Sequence, residues 1–169
     1  MSNNGGKNWS PFQLNLPITP ITDLRVHQNN LIAATSGRSF WILDDLNLIR
    51  AYKADTSNVK IYTPDATMLV TGYSELDNND ADFTGAKSDA GVNPATGMVL
   101  YYQLPKMEDG VELSLEIMDA AGKLVRRFSS KADENYKRYD GAPRKDPTLS
   151  KDKGLNRFVW NLRHTTTTA

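Results

Sequence analysis

The sequence predicts an all-β chain, a small antiparallel meander followed by a β-sandwich, and three stretches carry that prediction. Residues 111–130, VELSLEIMDAAGKLVRRFSS, place strand periodicity, turn chemistry and a second strand in direct succession. Residues 21–43 hold three short apolar pieces separated by tight polar turns. Residues 98–104, MVLYYQL, read as a buried strand, and LNRFVWNL near the C-terminus alternates apolar and polar positions.

Taken in order, residues 1–8 are polar and Gly-containing and are expected to be loose. Trp9, Pro11, Phe12, Leu14 and Leu16 then make an extended segment in which Pro17 and Pro20 argue against helix. Short strands are expected over 21–26, 31–35 and 39–43, joined by the turns His27-Gln28-Asn29-Asn30 and Ser36-Gly37-Arg38. Gly37 permits the second turn. Phe40 and Ile42 face one way, Trp41 and Leu43 the other, and apolar residues on both faces predict an inner strand between two sheets.

Leu46, Leu48, Ile49 and Tyr52 have helical spacing, with Asp44 and Asp45 placed to cap, so a short connecting helix is expected within 46–58. Strand character returns over 59–70, broken at Pro64. Residues 71–97 are rich in Asn, Asp, Gly, Ser and Ala and read as an exposed excursion. In the hairpin, Val111, Leu113, Leu115 and Ile117 share one face, Gly122 supplies the positive φ of the turn beside Asp119, and Leu124, Val125 and Phe128 carry the return strand. A polar loop over 131–153 precedes the last strand, where Phe158, Trp160 and Leu162 share a face.

The 169 residues suffice for one medium domain or two small ones, and a hydrophobic content of 39% is ordinary for a globular protein. Lys and Arg total 20 and Asp and Glu total 20, with no basic stripe interleaved with aromatics, so no nucleic-acid partner is expected. No apolar run approaches the roughly 20 residues of a membrane span, and MSNNGGKNWSP lacks the pattern of a signal peptide. With 0 cysteines the chain has neither disulfides nor thiolate chemistry, which leaves the compartment open.

Two stretches resemble a known family. LPITPITDLRVHQNNLIAATSGRSFWILDDL, within residues 9–46, looks like the last blade of the large sortilin-like β-propellers related to the Asp-box (BNR) repeat proteins, whose blades close on a similar Gly-Arg, aromatic, Leu-Asp-Asp string. The residues that carry it are Gly37, Arg38, Trp41, Asp44 and Asp45. The Ser-x-Asp-x-Gly-x-Thr-Trp turn itself is absent. NPATGMVLYYQLP, DAAGKLVRRF and GLNRFVWNLR, within residues 94–163, resemble the immunoglobulin-like module that follows such propellers, of the flagellar hook-cap type, with Gly122 and Trp160 at its characteristic turn and strand. The family continues with further strands after the Trp strand. The resemblance therefore implies a blade-like segment over 1–50, a connector over 51–97 and an immunoglobulin-like or fibronectin-like sandwich over 98–169 that strand 59–70 joins and that lacks an edge. It implies an extracellular or periplasmic segment of a larger protein, with the remaining blades or a second polypeptide covering residues 10–46.

Candidate chemistry is thin. D-x-D-x-T-G from Asp80 to Gly85 imitates the start of a calcium loop, and Asp80, Asp82 and Thr84 are the ligands it would offer. Gly91 stands where such a loop needs a bidentate Glu, so a solvated loop is the expected reading and no cofactor is expected. His27 and His164 lie far apart in sequence, and His27 is expected to be exposed or capping rather than basic. No serine occupies a G-x-S-x-G elbow. Asp44 and Asp45 imitate a glycosidase pair, but neighbours on a strand point to opposite faces, and a cap or a partner for Arg38 is expected instead. Trp9, Trp41 and Trp160 are expected in the core rather than as sugar platforms. The expected function is a non-catalytic structural or interaction module. Its rival is the accessory end of a BNR-type glycoside hydrolase or peptidase whose catalytic part lies outside this chain.

Overall fold

The computed structural model describes residues 1–2, 4–54, 57–68, 95, 97–134, 136–137, 139–140 and 145–164. The protein is all-β, as its alternation predicts: the described residues form eight strands in antiparallel sheets and one short helix. The chain divides into two compact units, Met1–Tyr52 and Lys53–Ala169.

The first unit is a three-stranded meander, β1 (Ile21–His27), β2 (Asn30–Thr35) and β3 (Phe40–Leu43), in the order β1-β2-β3. Gln28 turns the chain between β1 and β2 with φ 52, and Gly37, at φ 79, lies in the turn before β3. Thr35 Oγ1 supports that turn by donating to the Ser39 carbonyl at 2.6 Å and accepting the Arg38 N–H at 3.2 Å. The sequence predicts β3 as an inner strand between two sheets; it lies at the edge of a three-stranded sheet with Phe40 and Ile42 exposed. β2 is the central strand and carries Ala33, the one buried residue among the described residues of the unit. Apolar residues on both faces of a short strand do not distinguish centre from edge, because what decides it is which segment pairs alongside. The N-terminal segment is tied down rather than loose, since the Met1 ammonium donates to the Ser10 carbonyl at 2.6 Å and the Ser10 N–H returns a bond to Met1 at 2.9 Å.

The helix α1 (Leu46–Ala51) is shorter than the expected segment. Asp45 stands at its N-cap position, yet its side chain makes no cap hydrogen bond, because the residue is left-handed (φ 57, ψ 49) where a capping Asp is extended. Asn29, in the β1–β2 turn, supplies the cap from outside: its Oδ1 accepts the Asn47 N–H at 2.8 Å and its carbonyl accepts the Leu46 N–H at 2.8 Å.

The second unit holds a three-stranded sheet, β4 (Lys60–Ile61), β5 (Met98–Leu104) and β8 (Gly154–Trp160), in the order β4-β5-β8. It also holds a two-stranded hairpin, β6 (Ser114–Met118) with β7 (Leu124–Ser129). Among the described residues of the strand expected over 59–70, only Lys60–Ile61 pair as a strand, and Pro64, which lacks an N–H, follows soon after. Residues 69–94, with Asp80, Asp82 and Thr84, lie outside the described residues.

Register explains the core. Met98 pairs with Trp160, Leu100 with Phe158 and Tyr102 with Asn156, so these side chains share one face of the β5–β8 pair. Leu100, Tyr102, Leu104, Phe128, Leu149 and Phe158 form the buried cluster, with Leu113, Leu115, Ile117, Met98, Met107 and Trp160 packed against it. Phe128 of the hairpin meets Phe158 edge-on, ring centroids 4.7 Å apart, which fastens one sheet to the other. The expected inward faces need correction at three places. Val111 is exposed and precedes the strand, which starts at Ser114. Leu162, at φ 59, lies beyond the end of β8. A register shift between Ile117 and Met118 displaces Val125, so that Leu124 is exposed, while Arg126, opposite Ile117 and two residues before Phe128, faces inward by ordinary alternation.

Candidate functional site

In the first unit, antiparallel register assigns every side chain of the meander to a face. Leu24, Val26, Leu31, Ala33, Trp41 and Leu43 share one; Asp23, Arg25, Ile32, Ala34, Phe40 and Ile42 share the other. Both faces are largely apolar, and neither is closed. Leu24 is 57% and Val26 60% exposed on the first face, and on the second Phe40 is 74% and Ile42 61% exposed. Scattered exposed apolar residues are ordinary, but two exposed i, i+2 neighbours on one face, each beside an apolar partner on β2, make contiguous patches of the kind that mark interaction surfaces.

The two edges of this sheet differ. β1 has a register shift between Ile21 and Asp23, an Asp23–Arg25 ion pair at 3.2 Å, and Thr22 Oγ1 bonded back to the Ala34 carbonyl at 3.2 Å. Bulges and charges of that kind discourage a further strand from adding. β3, FWIL, carries neither within its span. Trp41 is half-buried, with its indole N–H donated to the Arg38 carbonyl at 2.8 Å, so Arg38 helps to hold it through the backbone. Asp44 is exposed at the C-terminal end of β3.

In the second unit the polar side chains of the interior are structural. Gln103 lies fully buried on the face opposite Leu104, its Oε1 accepting the Tyr62 hydroxyl at 2.6 Å and its amide donating to the Lys53 carbonyl at 3.1 Å. Tyr102 donates to the Ser150 carbonyl at 2.8 Å, and burial raises its phenol above the usual 10.0. Arg126 is the residue that the sequence reading missed. Its side chain is 5% exposed; the guanidinium pairs with Asp146, donates to the Arg163 and His164 carbonyls, and stands 5.3 Å from the Phe128 ring centroid. The alternation of Arg126 with Phe128 was the signal. Its arrangement holds chain segments together, with Nη1 and Nη2 bonded and the buried Nε without a hydrogen-bond partner among the described residues.

The remaining expected positions are scaffold. Gly122 takes φ 79 in a turn where Asp119 Oδ1 accepts the N–H groups of Ala121 and Lys123 at 2.9 and 2.8 Å. Trp160 is half-buried, its indole N–H donated to the Arg163 carbonyl at 3.1 Å. Trp9, expected in the core, is exposed and bonds the Gly6 carbonyl at 3.1 Å, because it belongs to a turn segment and not to a strand. His27 is exposed at the end of β1. Among the described residues no group of three or more His, Cys, Asp or Glu is placed to hold a metal ion, and no helix is long and apolar enough to cross a membrane. Comparison with known protein families, curated proteins and solved structures returns no match.

Proposed function

We propose that this chain is a non-catalytic interaction module, the C-terminal end of an exported β-propeller protein of the sortilin-like type, and that its meander is completed by another polypeptide. The observation that carries this reading is the exposure of neighbouring apolar residues on both faces of the β1-β2-β3 sheet, Leu24 and Val26 of β1 on one and Phe40 and Ile42 of β3 on the other. Leaving such side chains in water forgoes about 25 cal/mol for each Å² that a cover would bury, which favours a bound partner over an isolated sheet. The resemblance of the Gly37-Arg38, Trp41, Asp44-Asp45 string to a closing blade supports the same reading and names the partner as the polypeptide bearing the other blades.

The test has two parts. Chromogenic glycosides, esters and peptides are incubated with the purified chain, and no turnover is expected. Turnover that persists through repurification and disappears on one Asp, Glu or Ser substitution would overturn the module reading. Hydrogen exchange over residues 21–43 is then compared with and without a candidate partner, and slower exchange on binding is expected.

A further inference from the structure

We propose that a second copy of this chain pairs with β3, edge to edge and antiparallel, to make one continuous six-stranded sheet from two meanders. The inference rests on the interaction-module reading and gives the β3 edge a partner of its own, beside the polypeptide proposed to cover the faces. Three observations select this occupant. β3 is the open edge, whereas β1 is guarded by its bulge and its Asp23–Arg25 pair. The strand is also self-complementary in one register. Strands related by a two-fold axis normal to the sheet must pair residues of the same face, so an axis through Trp41 sets Trp41 beside its copy and Phe40 opposite Ile42 of the other chain, twice. Phe40 and Ile42 are the two most exposed residues of β3, on the same face, and an aromatic beside a β-branched residue is a favourable cross-strand pair.

The third observation is charge. Arg38 precedes β3, and Asp44 and Asp45 follow it. Antiparallel pairing brings the basic end of each strand to the acidic end of the other, whereas a parallel arrangement would set like charges side by side. Complementary ends of this kind fix direction and register.

Light scattering and sedimentation of the full chain over a concentration series are expected to show a reversible monomer–dimer equilibrium. Ile42→Lys is expected to raise the dimer dissociation constant by more than about a hundredfold, since each dimer would then carry two charges in apolar pairs. Far-UV circular dichroism of the variant checks that the sheets persist. Register is read by cross-linking, which the absence of native cysteines makes clean. A mixture of Phe40→Cys and Ile42→Cys chains is expected to form a disulfide-linked heterodimer on oxidation, because opposed positions stand about 4.5 to 5.5 Å apart. Each variant alone is expected to cross-link poorly, its like positions being about 7 to 8 Å apart on the diagonal. A chain that stays monomeric up to about 100 µM, a concentration at which even a weak specific dimer forms, overturns the proposal. So does a dimer that Ile42→Lys leaves intact or that cross-links without regard to register. None of these failures touches the module reading, which is tested separately by turnover and by hydrogen exchange with a candidate partner.

Discussion

At Arg126 the hairpin places a cation where its neighbours place Leu115, Ile117 and Phe128, and the fold tolerates it because three oxygens converge on the guanidinium. A buried ion pair is weak evidence for stability, since desolvation offsets most of the attraction, but removing one partner strands the other. Asp146→Ala is therefore expected to destabilise the chain by roughly 2 to 3 kcal/mol, less than a fully buried pair would lose because Asp146 is 51% exposed. Arg126→Met, which removes the charge and keeps much of the volume, is expected to cost less. Urea denaturation of both variants measures this, and the reverse order would show that Arg126 contributes mainly through its charge.

Tyr102 gives a residue-scale prediction with pH. Desolvation raises its phenol, and Asp152 adds to that, while the hydrogen bond to Ser150 works the other way. A folded value above the unfolded one means that the contribution is fully present below pH 10.0 and is lost as pH rises through the folded value. Alkaline unfolding followed by Trp fluorescence is expected to begin at higher pH in Tyr102→Phe. That variant should also lose about 1 kcal/mol near neutral pH with the Ser150 hydrogen bond.

Among the elements, the entry to β5 is the least forgiving. A Cβ on Gly97, at φ 136, would stand 2.3 Å from the carbonyl oxygen of Trp160, where β8 ends beside it. Backbone must move to admit it. Gly97→Ala is expected to cost more than about 2 kcal/mol, combining an unfavourable φ with overpacking. Gly122→Ala, at φ 79 in a hairpin turn with open space around the Cβ position, is expected to cost about 1 kcal/mol from the left-handed backbone alone. Thermal unfolding of the two variants distinguishes backbone strain from collision; equal losses would mean that the β5–β8 end relaxes freely.

Across the molecule, burial is distributed unevenly. The second unit has a closed core in which Leu104 and Gln103 are fully buried, whereas every residue of β1 is exposed. Local opening is easiest where few apolar groups are buried, so hydrogen exchange of the isolated chain is expected to be slowest in β5 and faster in β1 by at least about tenfold. Uniform protection of both would show that β1 is covered in solution.

Alternation, turn residues and proline placement are local properties, and from them the sequence alone determined the all-β class, the β6–β7 hairpin with Gly122 at its turn, and the opposite faces of Phe40 and Trp41. The same residues also made both faces of the meander legible as apolar. Pairing partners are not local. That β3 is an edge, that a bulge at Val125 turns Leu124 outward, and that Asn29 rather than Asp45 caps α1 from 18 residues away each depend on a second segment arriving alongside. Only the tertiary structure decided them, because a strand's face follows from its own period, whereas its burial follows from what else is within reach.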